Sequence, residues 1–207
     1  MILRLAAKIT QKDDDRYPVR RGIVYPRFTF IQETNMKKNI LTFGLISGAL
    51  SSLMMVATVP LEDKIGFDRS EILGYTLIVL SFLLVFFGIR SYRDTAANGQ
   101  ITFAKAFAVG ISITLISCIC YVVTWEVLYF NFMHDFMDKY GAYMIQKLRA
   151  SGASAAAVQT QINQLKTYKE QYENPLYNSA MTFLEPFPVG LGITLISATV
   201  LRKKPQS

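Results

Sequence analysis

The chain has 207 residues, of which 51% are apolar and 18% charged, and its 22 Lys and Arg outnumber its 15 Asp and Glu to give a formal net charge of +7. A mean hydropathy of +0.26 moves the expectation from one or two soluble domains toward a membrane protein. The basic surplus comes without a basic groove interleaved with stacking aromatics, which argues against nucleic-acid binding. One histidine, His134, and two cysteines, Cys118 and Cys120, supply no metal-ligand set, and no cofactor is expected.

Residues 1–35 read as a poorly ordered extension, with Asp13, Asp14 and Asp15 in a row and Pro18 and Pro26 opposing regular structure. Met36-Lys37-Lys38-Asn39-Ile40 then has the form of a protein start, a short basic stretch leading into an apolar run. The biological start is expected at Met36, the upstream segment being an artefact of start-site assignment. An intact mass beginning before Met36 would contradict this. A secretory signal is the competing reading, but the run exceeds a usual h-region and no small-x-small cleavage site follows, so an uncleaved helix is expected.

Four apolar blocks succeed one another. The first, residues 40–59, is free of charge over roughly 20 positions, enough to cross about 30 Å of hydrocarbon, and Pro60 closes it. The second, 72–89, ends before Arg90, and the third, 104–128, carries Lys105 in its first turn. Cys118 and Cys120 lie within the third block and read as small packing residues. The fourth, 181–201, has Pro186 and Pro188 in its opening turns and Arg202, Lys203 and Lys204 directly after it. The predicted fold is therefore all-α, an integral membrane four-helix bundle spanning residues 36–204.

Between the third and fourth blocks, residues 131–178 predict an extramembrane helical hairpin. Met133, Met137, Tyr140, Met144 and Leu148 recur at steps of three and four, as do Val158, Ile162, Leu165, Tyr168 and Tyr172. Ser151-Gly152 separates the two stripes, and Ser154 suits the cap of the second helix.

Charge sets the expected orientation. Lys37, Lys38, Arg90, Arg93, Lys105, Arg202, Lys203 and Lys204 fall on one face, whereas the first connection carries Glu62, Asp63, Asp68 and Glu71 against Lys64 and Arg69. The positive-inside rule then predicts a cell inner (cytoplasmic) membrane protein with both termini cytoplasmic and the hairpin outside. Trp125 and Tyr129, near the outer end of the third helix, fit an interfacial aromatic belt.

Several runs resemble a bacterial membrane-protein family, domain of unknown function 4199. They are Phe87-Gly88-Ile89-Arg90-Ser91-Tyr92-Arg93-Asp94, Asn98-Gly99-Gln100-Ile101-Thr102-Phe103-Ala104-Lys105-Ala106-Phe107, Tyr172-Glu173-Asn174-Pro175, Glu185-Pro186-Phe187-Pro188-Val189-Gly190 and Leu195-Ile196-Ser197-Ala198. The resemblance implies a four-helix membrane protein over about residues 36–204, and it supplies no activity or catalytic residue.

The polar residues suggest three kinds of site. Arg90, Arg93 and Lys105 make a compact basic cluster on the inner connection, either a topological anchor or a contact for lipid headgroups or a partner. Glu126 and Glu185 are the carboxylates nearest hydrocarbon, hydrated at the outer interface or forming an inward-facing proton or cation site. Gly44 and Gly48 in the first helix, Ala106, Gly110 and Thr114 in the third, and Gly190, Thr194 and Ala198 in the fourth form rows of small residues that let helices pack closely within the bundle or between copies. Val109-Gly110-Ile111-Ser112-Ile113-Thr114-Leu115-Ile116-Ser117 nearly recurs at Val189-Gly190-Leu191-Gly192-Ile193-Thr194-Leu195-Ile196-Ser197, on helices expected to run in opposite directions. An inverted transporter-like repeat would need a polar, interrupted helix, which the sequence does not reveal, so coincidence or shared packing is the expected cause.

Catalytic signatures are missing, with no His-Glu-x-x-His, Gly-x-Ser-x-Gly, phosphate-binding or dinucleotide loop. The expected function is non-enzymatic, a structural or accessory protein that binds a membrane or periplasmic protein partner as well as membrane lipids. A small oligomeric transporter or channel, a homo-oligomer with polar groups lining its interior, is the alternative.

Overall fold

The computed structural model describes the backbone of residues 26–59 and 62–203. The chain divides into two compact units, Met1–Glu33 and Thr34–Ser207, and every side chain discussed below belongs to the second. The elements are α1 (Pro26–Thr58), α2 (Glu62–Ile65), α3 (Phe67–Thr95), α4 (Phe103–Phe132), α5 (Phe136–Ala150), α6 (Ala155–Tyr172), α7 (Pro175–Leu184) and α8 (Pro186–Leu201). Among the described residues there is no strand, and Ile101 and Lys203 form an isolated antiparallel bridge. Four segments are long and apolar enough to cross a membrane: Asn35–Thr58, Phe67–Thr95, Phe103–Phe132 and Pro175–Leu201. The fold is the expected all-α membrane bundle, with α5 and α6 as its extramembrane hairpin.

Most of the expected extension, including the segment before Pro26, lies outside the described residues. Residues 26–35, expected to be irregular, are the first turns of α1. Proline at a helix's first position costs no hydrogen bond, because that N–H has no helical acceptor anyway.

Apolar composition marked only the hydrocarbon-like part of each helix. α3 begins at Phe67, before the predicted 72, and continues to Thr95 through Arg90 and Arg93. It stops at a turn where Asn98 and Gly99 both take positive φ, 50° and 76°, and Gly99 N donates to Arg93 O at 2.8 Å. The fourth span starts at Pro175 instead of 181, because Asn174 caps it: its side-chain oxygen accepts from Leu176 N at 2.9 Å and Tyr177 N at 3.4 Å. That span, expected to be continuous, is interrupted at Glu185. Pro186 and Pro188 have no N–H to donate to the carbonyls one turn earlier, yet Glu185 keeps helical dihedrals (φ −71°, ψ −61°), so the chain runs on through α7 and α8.

Apolar side chains lie both inside the bundle and on its outer surface. Phe82, Val85 and Ile89 of α3, Val109 and Ile113 of α4, and Ala198 and Leu201 of α8 form the core. Leu45, Leu53, Val79, Leu80, Ile119, Val127, Ile196 and Val200 are exposed, as expected where lipid replaces water. Small hydroxyl residues sit inside and bond to neighbouring helices. Ser47 donates to Ser81 O at 3.0 Å, and Ser117 donates to Gly44 O at 3.2 Å.

The hairpin is held by its own cap and by two exposed ion pairs. Ser154 Oγ accepts from Ala157 N at 3.3 Å, Lys169 Nζ reaches Asp138 at 2.5 Å across the hairpin, and Lys147 Nζ reaches Asp68 of α3 at 2.6 Å. Phe67, at the start of α3, packs its ring 5.0 Å from Tyr143 and 5.8 Å from Tyr140.

Candidate functional site

The ends of α1, α3, α4 and α7 nearest the hairpin do not close on it directly. Between them lies a cavity of ≈ 1240 Å³ lined by Tyr75, Tyr121, Trp125, Tyr140, Tyr168 and Tyr172 and by the charged residues Asp68, Glu71, Lys147 and Glu185. The aromatics arrive from different elements by the same helical stepping that makes the hairpin amphipathic. Tyr168 and Tyr172 are one turn apart on α6, and Tyr121 and Trp125 are one turn apart on α4.

The wall is joined by specific contacts. Trp125 Nε1 donates to Tyr172 OH at 3.0 Å, and the rings of Tyr129 and Tyr172 meet edge to face at 5.2 Å. Tyr121 OH donates to Glu185 Oε2 at 3.1 Å, which fixes the carboxylate of the interrupted helix toward α4. Below Tyr172, buried Asn178 donates to Tyr172 O at 3.2 Å and accepts from Thr182 Oγ1 at 3.2 Å. Burial raises the Tyr168 phenol to about 12, its neighbours Tyr172 and Tyr177 adding to the effect. The Asp68 carboxylate beside Lys147 raises that ammonium well above its ordinary value.

The carboxylates singled out in the sequence are separated by the structure. Glu185 faces the cavity, whereas Glu126 is half-buried and accepts from Ser179 Oγ at 2.9 Å on α7. Arg90, Arg93 and Lys105 gather at the other end of the bundle. Arg93 Nε lies 2.7 Å and Arg90 Nε 3.6 Å from the two oxygens of Asp94, and Lys105 Nζ sits 5.8 Å from the centre of the Tyr92 ring. Gly44 and Gly48 lie against Ile116 and Cys120 of α4, and Gly110 and Gly190 lie against Thr194 and Thr114. Cys118 is buried.

A family model described as Protein of unknown function (DUF4199) matches residues 42–203. The chain belongs to this family. No curated protein and no solved structure matches it. The cavity of this DUF4199 chain lies within the matched region, and its walls draw on α1, α3, α4, the hairpin and α7.

The family-like runs pointed mainly to the opposite end of the bundle. Sequence reasoning found Glu185, Trp125 and the hairpin tyrosines separately but missed Glu71, Tyr75 and Tyr121 as parts of one site. The available signal was the concentration of Tyr at the ends of the second and third apolar blocks facing the hairpin.

Proposed function

We propose that this DUF4199 protein is a non-catalytic accessory protein that binds a partner molecule in the cavity beneath its hairpin. In this reading all four helices cross the bacterial inner membrane, both termini are cytoplasmic and the cavity opens on the outer side. The cavity itself carries the proposal: ≈ 1240 Å³ exceeds the usual volume of about 300–1,000 Å³ for a small-molecule site, and its walls combine aromatic surface with a few polar groups. The basic cluster of Arg90, Arg93 and Lys105 supports the orientation and suits anionic headgroups of the inner leaflet.

Filling the cavity tests the proposal. Gly74 lines it, and a Cβ added there meets nothing within 4 Å, so Gly74→Phe starts from open space and is expected to fold and to reduce the cavity. Protein purified in mild detergent should carry a stoichiometric small molecule or polypeptide by mass spectrometry, and Gly74→Phe should lose it. Equal retention by the variant would remove the cavity from the proposal.

The interrupted fourth helix favours a second reading, a small oligomeric transporter or channel, because transporters place carboxylates and broken helices at substrate sites. Solute flux in reconstituted vesicles that disappears in Glu185→Gln would favour it over the accessory role.

A further inference from the structure

Resting on the cavity as a binding site, we infer that its ligand is a single-chain amphiphile with a cationic head: the head sits among the cavity's rings and carboxylates, and the alkyl tail runs along α3. Two features of the molecule lead to this class.

The first is charge. Three carboxylates, Asp68, Glu71 and Glu185, line the cavity, and Lys147 is paired with Asp68 at 2.6 Å. Among the described residues Glu71 and Glu185 have no ion pair. Glu185 accepts only the neutral Tyr121 hydroxyl. A cation entering this space therefore meets two carboxylates with no countercharge among the described residues, together with the rings of Tyr75, Tyr121 and Trp125, a residue class that attracts ammonium groups. An anionic head would meet repulsion at the same positions.

The second is the shape of the surface next to it. A groove of ≈ 470 Å³ lies on α3, lined by Glu71, Ile72, Tyr75, Thr76, Val79 and Leu80. Glu71 and Tyr75 belong to both the groove and the cavity, so the two spaces adjoin. From Glu71 to Leu80 the helix advances about 13 Å, toward the side chains that lipid surrounds. An aromatic chamber with carboxylates in its lining, continuing into an apolar groove, matches a head and a tail, and it gives the ligand a route from the bilayer.

The protein carries its own reporter, since Trp125 is its single tryptophan and lines the cavity. Full-length protein in dodecyl maltoside is titrated with dodecyltrimethylammonium, hexyltrimethylammonium or dodecanoate while Trp125 emission is followed. Dodecyltrimethylammonium should give a saturable change. Hexyltrimethylammonium should bind more weakly for want of a tail, and dodecanoate should give no saturable change. Glu71→Gln and Glu185→Gln should each weaken dodecyltrimethylammonium binding about tenfold, whereas Glu126→Gln, outside the cavity, should leave it unchanged. Glu71 is exposed, so its variant keeps the test open if Glu185→Gln fails to fold. Dodecanoate binding as tightly, or both Gln variants binding like the wild type, would overturn the cationic head while leaving the cavity as a binding site. No saturable response to any amphiphile would overturn the inference alone if a partner lost in Gly74→Phe is still captured, and together with the binding proposal if none is.

Discussion

Thr114 and Thr194 face one another with their hydroxyls 3.0 Å apart, and each directs its methyl toward the glycine of the other's helix. A Cβ built on Gly110 would lie 2.8 Å from Thr194 Cγ2, and one on Gly190 would run into Thr114 Cγ2. The near-repeat of residues 109–117 at 189–197 is thus a packing device: two antiparallel helices use the same glycine and threonine spacing to seat each other. Gly190→Ala should lower stability by about 1–3 kcal/mol through overpacking, read as a drop in the thermal midpoint in detergent. Thr114→Ser, which removes the methyl, should recover part of that loss. It cannot recover all, because Phe82 Cε1 also lies 2.9 Å from the added Cβ.

Removing the hydroxyl of Tyr172 deprives the Trp125 indole of its acceptor. Tyr172→Phe should cost about 1 kcal/mol. Cavity water then takes over the indole N–H, so the emission of the single tryptophan should move to longer wavelength. An unchanged spectrum would mean that the 3.0 Å contact does not persist in solution.

The hairpin's ion pairs predict an alkaline weakness. Hydrogen bonding to Asp138 raises Lys169 above its ordinary 10.5, and bonding to Asp68 does the same for Lys147. A raised lysine pKa contributes stability that is whole below the unfolded value and is lost as pH climbs through the folded one. The pairs' contribution to the thermal midpoint should therefore be constant between about pH 7 and 10 and should be lost above that range. In a Lys147→Met, Lys169→Met variant the fall should be shallower. The pairs are exposed, so the difference should be small and should shrink further in high salt.

Sidedness can be read by labelling. In a Cys118→Ala, Cys120→Ala background, His134→Cys at the exposed hairpin end of α4 should react with a membrane-impermeant maleimide on intact cells. Asn98→Cys, in the turn after α3, should react only after lysis. The reverse pattern would turn the bundle over and place the cavity inside the cell.

How much of this could be read from sequence depended on what each feature required. The four apolar blocks follow from hydrocarbon burial, which acts on composition alone, so their existence was legible; their ends were not. Arg90 and Arg93 look like loop residues to a hydropathy argument, yet they extend α3, and Asn174 with Pro175 sets the fourth span's start through a cap that apolar counting ignores. The hairpin stripes were legible because the period of 3.6 exposes one face. The cavity was not, since Glu71, Tyr75, Tyr121 and Glu185 come together only through the angle at which the helices approach the hairpin. The glycine seats show the same limit: Gly110 and Gly190 stand out as small residues, but only the packed helices show which methyl each receives.

Ile101 N donates to Lys203 O at 3.1 Å, and Lys203 N donates to Ile101 O at 2.9 Å. The turn between α3 and α4 therefore acquires its latch only after the ribosome has made the whole fourth span. Until then that turn is unfastened, and the order of synthesis leaves the closing of the bundle to its last helix.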